Sequence, residues 1–126
     1  MFEMDNHIEW YNKALDFNES KEHEKELYCY DMAIKLNPDD YCSIFNKGST
    51  LDDLGKPEYA IMCYDRVLKI KQDHFMALNN KGKSLCSLER YQEALPYFEK
   101  ALELRPDDVI IIHNRNETIE EISIIV

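Results

Sequence analysis

Apolar residues recur along this chain at helical spacing, pause, and resume, and the whole arrangement then repeats. Between residues 41 and 74, Ile44, Leu51 and Leu54 fall on one stripe, Gly55 and Lys56 interrupt it, and Pro57 opens a second stripe with Ala60, Ile61, Tyr64, Val67 and Leu68. The spacing predicts a helix, a tight turn and a second helix. A shift of 34 residues brings like onto like, so a frame that begins at His7 starts new units at Tyr41, Phe75 and Val109. Position 8 of that frame holds Ala14, Gly48 and Gly82, and position 27 holds Ala33, Val67 and Ala101, small residues where two helices need close approach. Position 24 holds Tyr30, Tyr64 and Phe98, which are assigned to the core. Position 32 holds Pro38, Gln72 and Pro106, and Asp39, Asp40, Asp107 and Asp108 follow the two prolines as helix N-caps.

A single short hairpin cannot bury both of its faces, so each unit must stack on the next. The expected architecture is all-α and forms one domain over 1–126. Three helical hairpins at 7–40, 41–74 and 75–108 are followed by a seventh, capping helix at 109–126. In that last helix Ile112, Ile119 and Ile122 are expected to cover the open face of the third unit. Asn116 replaces the small residue that would admit another helix, yet Ile124, Ile125 and Val126 leave an apolar terminus that invites self-association.

The pattern resembles the tetratricopeptide repeat. Trp10, Ala14, Phe17, Tyr30, Ala33 and Pro38 carry the likeness in the first unit. Gly48, Leu51, Leu54, Gly55, Ala60, Tyr64 and Val67 carry it in the second, and Gly82, Leu85, Leu88, Ala94, Phe98, Ala101 and Pro106 in the third. Lys21 and Glu26 depart from the pattern in unit one, as do Gln72 between units and Glu89 in unit three, while Pro96 near the start of its helix predicts a bend rather than a break. The resemblance implies a right-handed α-solenoid whose concave groove, lined by the first helix of each pair, binds proteins.

Composition narrows the partner. Fifteen Lys and Arg against 25 Asp and Glu give a net charge of -10, which disfavours nucleic acid and anionic membranes. No apolar run approaches the roughly 18 residues a membrane span needs. The acidic amino terminus is unlike a secretory signal, so a cytoplasmic location is expected, with Cys29, Cys42, Cys63 and Cys86 as reduced, buried thiols. No nucleophile with its base, phosphate loop or ligand set appears, and His7, His23, His74 and His113 sit at four different positions of the frame, so neither catalysis nor a metal or other cofactor is expected.

One row stands out on the groove face. Position 6 holds Asn12, Asn46, Asn80 and Asn114, and a carboxamide offers both donor and acceptor to an extended peptide backbone. This resembles the asparagine ladders of long tetratricopeptide grooves; the alternative is that these residues bond neighbouring helices. Tyr11, Leu15, Phe45 and Met76 suggest an apolar floor, with Ser49 and Lys83 beside it. Asp52, Asp53, Glu117, Glu120 and Glu121 suggest attraction for a basic segment. The position-7 cations Lys13, Lys47, Lys81 and Arg115 read as stems lying over apolar surface. The carboxylate clamp of chaperone-adaptor relatives maps onto Tyr11, Leu15, Asn46, Met76 and Asn80, where every cation is missing. The expected function is therefore a non-enzymatic scaffold that holds a partner peptide in its groove. The alternative is an assembly subunit that self-associates or docks through its carboxyl-terminal helix.

Overall fold

A computed structural model describes residues 6–125 as seven α-helices: α1 (His7–Glu19), α2 (His23–Leu36), α3 (Tyr41–Asp53), α4 (Pro57–Ile70), α5 (Phe75–Ser87), α6 (Tyr91–Leu104) and α7 (Val109–Ile125). Val126, part of the predicted apolar terminus, lies outside the described residues. The helices pair as α1 with α2, α3 with α4 and α5 with α6, each pair packs on the next, and α7 closes on α6.

The three hairpins close identically. Lys56 N–H reaches the Leu51 carbonyl and Gly55 N–H the Asp52 carbonyl, and the same bonds recur at Glu22 and Lys21 and at Arg90 and Glu89. Each closure needs one residue in the left-handed region: Gly55 at φ 75°, and Lys21 at 58° and Glu89 at 59°. Two of the sequence departures thus occupy the strained position without changing the turn, at a cost of about 1–2 kcal/mol each. Gln72 likewise leaves its junction intact, and α6 runs through Pro96 unbroken.

Packing follows the 34-residue rule. Ala14, Ala33, Ala60, Ala94 and Ala101 are fully buried, and a Cβ on Gly82 would lie 2.7 Å from the Phe98 ring. Tyr30, Tyr64 and Phe98 each anchor one core cluster. Leu54, assigned to the inner stripe, is instead exposed, because it sits past the last turn of α3 as its C-cap.

The capping helix departs from expectation. Ile111 and Thr118 are buried, Ile112 is only partly buried, and Ile119 remains 43% exposed. In α3 and α5 the stripe at positions 4, 8 and 11 packs against the following helix; no helix follows α7 among the described residues, so that stripe loses its partner. The face at positions 3 and 10, which meets the preceding unit, carries the contact instead.

Helix α5 has an unusual cap. Position 34 holds Asp40 and Asp108, whose carboxylates accept from Ser43 N–H and from Ile110 and Ile111 N–H, but in the second unit it holds His74. Its Nδ1 accepts from Ala77 N–H at 3.1 Å, so the ring must be neutral there, and burial among Tyr41 and Phe45 lowers its pKa below 6.5. A folded pKa lowered in this way gives stability that is present above pH 6.5 and lost as pH falls below it. His74→Asp, which copies the other two junctions, is expected to flatten this acid-side loss, read as urea midpoints at pH 5.5 and 7.5.

Candidate peptide-binding groove

Helix α5 touches α3 on one side and α7 on the other as well as its hairpin partner, so these odd-numbered helices lie side by side. Positions 2, 5, 6, 9 and 13 of each are the ones expected on the groove side, whereas position 12 turns inward in α1, α3 and α5, where Asn18, Asp52 and Cys86 bond Glu26, Ser84 and Thr118. Every hairpin reverses the chain, so these helices run the same way, with N-termini along one edge and C-termini along the other.

The asparagine row is partly engaged within the fold. Asn46 Nδ2 donates to the Tyr11 hydroxyl at 2.9 Å and Asn114 Nδ2 donates to Asn79 Oδ1 at 3.0 Å, while Asn80 is half-buried at the same position. Each bond crosses to the preceding unit. A primary carboxamide has two N–H donors and an oxygen with two lone pairs, so one bond leaves capacity for a ligand. Asn12 is exposed, as are Met76 and Lys83, while Tyr11, Phe45 and Ser49 are half-buried. None of these side chains is fully buried, and the four asparagines share position 6 of the four odd-numbered helices.

Three buried hydroxyls were missed by the sequence reading, although their common position 10 was a signal for them. Thr50, Ser84 and Thr118 are each almost completely buried, and each bonds an acceptor or donor in the preceding unit. Ser84 Oγ donates to Asp52 at 2.8 Å, and Tyr64 donates to the same carboxylate at 2.7 Å. Asp52 is thus an internal acceptor rather than a solvated groove charge, and burial raises its pKa above the ordinary 3.8 despite those two bonds. At the third junction Thr118 donates to the Asn114 carbonyl, leaving the Cys86 thiol to donate to Thr118 at 3.3 Å. At the first, Thr50 donates to Glu26, a wholly buried carboxylate that also accepts from Asn18 and faces His23 Nδ1 at 3.0 Å. Glu26 therefore fills the role Asp52 has one unit later, which explains a side chain that interrupts the alanine register of Ala60 and Ala94.

Two of the position-7 cations clasp a neighbouring unit, while Arg115 bonds Asn116 of its own helix. Lys47 pairs with Asp31 at 2.6 Å and Lys81 with Asp65 at 2.5 Å, each clasping the preceding unit. Lys81 also lies over the Tyr97 ring. Lys13 places its ammonium over the Phe17 ring, 5.2 Å from the centroid. Of the cysteines, Cys29 is buried and Cys63 and Cys86 half-buried, but Cys42 is exposed at position 2, on the groove face. At the carboxyl-terminal end of the groove, Lys83, Tyr91, Phe98, Glu117, Glu120 and Glu121 border a hollow of about 410 Å³.

Family models described as tetratricopeptide repeat match residues 43–74 and 75–108, together just over half of the chain. The chain belongs to the tetratricopeptide repeat family. No curated protein matches this tetratricopeptide chain in sequence. Its fold is shared by the first TPR domain of Spaghetti (RPAP3) bound to the HSP90 peptide SRMEEVD, at TM-score 0.90 and 16% identity over 94% of each chain. The Arabidopsis OM64 TPR domain superposes at TM-score 0.84 and 22% identity, over 89% of this chain and 93% of that one. YrrB, described as a TPR protein with an unusual peptide-binding site, does so at 0.82 and 23%, over 90% of this chain and 58% of the other. At these identities the likeness establishes the fold alone. No helix among the described residues is long and apolar enough to cross a membrane.

Proposed function

We propose that this tetratricopeptide protein is a non-enzymatic interaction module of the cytoplasm that holds an extended segment of a protein partner in its concave groove. The observation that carries this reading is the row of Asn46, Asn80 and Asn114, in which Asn46 and Asn114 are each tied to the preceding unit by one bond and so held in fixed orientation with further hydrogen-bonding capacity. Prior fixing of these groups lowers the ordering cost of binding. Asn12 begins the row, and Tyr11, Phe45, Ser49, Met76 and Lys83 supply the surface around it.

The peptide in the RPAP3 complex ends in acidic residues, and that ligand does not carry over. Tyr11, Leu15, Asn46, Met76 and Asn80 offer no cation at the clamp positions, and the chain's charge of -10 opposes an acidic tail.

A selection from a random peptide display library tests the reading. Peptides enriched on the wild type are expected to lose at least about tenfold in affinity, roughly 1.4 kcal/mol, on the groove variant Met76→Asp. They should keep it on Met62→Asp, which changes an exposed side chain of α4. Equal effects of the two substitutions would remove the groove from the account.

A second reading is favoured by the exposure of Ile119, Ile124 and Ile125 on α7: self-association, or docking to another chain, through that helix. It predicts a mass that rises with concentration and falls back to the monomer in Ile124→Ser/Ile125→Ser. The groove reading predicts peptide binding by the monomer.

A further inference from the structure

The groove is divided across its width, and the division specifies the side-chain chemistry of what lies in it. Along the edge made by helix N-termini, position 2 presents Ile8, Cys42, Met76 and Ile110, all exposed, with Ile110 at 64%. Along the opposite side, α1, α3 and α7 present the exposed carboxylates Glu19, Asp53, Glu120 and Glu121 at positions 12 and 13, where α5 carries Cys86 and Ser87.

Local helix stability does not account for the acidic side. Carboxylates are favourable in a first turn and unfavourable in a last turn, by about 0.3–1 kcal/mol each. The outer helices follow this rule: α2, α4 and α6 carry acids in their first turns, and α2 and α4 end with Lys35 and Lys69. The groove helices do not: none of α1, α3, α5 and α7 has a base in its last turn, while α1 ends with the exposed Glu19 and α3 with the exposed Asp53. At the ends of α1 and α3 the negative ends of the helix dipoles and the added carboxylates reinforce one another, and Glu120 and Glu121 of α7 extend the same side.

Resting on the groove reading above, we infer that the partner segment is an extended stretch in which apolar residues alternate with lysine or arginine. Successive side chains of an extended chain point to opposite sides, so a segment laid along the groove sends one set to the Ile8–Ile110 row and the other to the carboxylates. Its backbone lies over the asparagines between them. Four helices at spacings of about 9–10 Å span roughly 28 Å, the length of about nine extended residues. The long-range field of an acidic protein steers such a cationic segment inward.

Three fluorescein-labelled peptides of about ten residues test the inference by anisotropy: one alternating leucine with lysine, one of the same composition with the two residues grouped, and one alternating leucine with glutamate. The alternating basic peptide is expected to bind at least about tenfold more tightly than either of the others. Its affinity should fall with added salt, and fall at least about fivefold in Asp53→Lys/Glu121→Lys and in Met76→Asp, but not in Met62→Asp. Equal binding of the grouped or acidic peptide, no binding of any of the three, or indifference to the acidic-edge variant overturns the inference. Should the acidic peptide bind best and lose affinity in Met76→Asp, the groove remains the site and only the partner chemistry is wrong. Should Met76→Asp and Met62→Asp act alike, the groove reading falls with it.

Discussion

Truncating Phe98 to alanine is expected to cost about 3–5 kcal/mol, the largest loss from any single truncation considered for this protein. Phe98 is almost fully buried in the cluster formed by Leu78, Leu85, Ala94, Ala101, Leu102 and Ile111. Its ring fills the space that Gly82 leaves on α5, and the same cluster contains the contact by which α7 docks. The void left by the ring therefore loosens both the third hairpin and the capping helix. Urea unfolding followed by circular dichroism gives the total loss. Hydrogen exchange should show it concentrated in α5, α6 and α7, with α1 and α2 protected nearly as in the wild type, because neighbouring units alone are coupled in a stacked array. A uniform loss of protection along the chain would argue against that nearest-neighbour picture.

Glu26→Ala is expected to cost about 2–4 kcal/mol, although it restores the residue type found at the same position in the other two units. The carboxylate is wholly buried, accepts from Thr50 at 2.7 Å and Asn18 at 2.9 Å, and lies beside His23. Its removal leaves a void and breaks the bond across the seam between the first and second hairpins, leaving Thr50 only the Asn46 carbonyl of its own helix and Asn18 without its acceptor. The second junction suggests the rescue, because Asp52 performs there from position 12 what Glu26 performs from position 20. Asn18→Asp/Glu26→Ala transplants that arrangement and should recover at least about 1 kcal/mol of the loss. Additivity of the two substitutions, with no recovery, would show that the carboxylate's position, and not its presence at the seam, is what matters.

The repeat was legible because its marks are single residues at a fixed interval. Alanine or glycine at position 8, an aromatic residue at 24 and alanine or valine at 27 state directly which helices approach closely, and Ala14, Gly48, Tyr64 and Phe98 lie in those contacts. The asparagine row was legible for the same reason, since residues at one interval occupy the same position of equivalent helices.

What the pattern did not reveal depends on pairs distant in sequence. Glu26 reads as an intrusion on a small-residue position until Thr50, 24 residues later, is brought beside it. Asp52 reads as a solvated groove charge until Ser84 and Tyr64 converge on it. His74 was passed over as a cap because the frame suggested aspartate, although its register matched Asp40 and Asp108. In α7 the expected stripe was right for a helix with a partner on both sides and wrong for one that touches only the preceding unit. The apolar row at position 2 was visible residue by residue, but its opposition to the carboxylates across the groove follows only from the parallel run of the odd-numbered helices.

The central claim is that the face shared by the odd-numbered helices is the binding surface. The most direct measurement is a residue-by-residue map of amide NMR shifts as a display-selected peptide is added to the labelled protein. The account predicts that the largest changes fall on α3 and α5 around Asn46, Ser49, Met76 and Asn80, including the side-chain amides of the two asparagines. Changes confined to α2, α4 and α6, or to Ile119, Ile124 and Ile125 on α7, would contradict it.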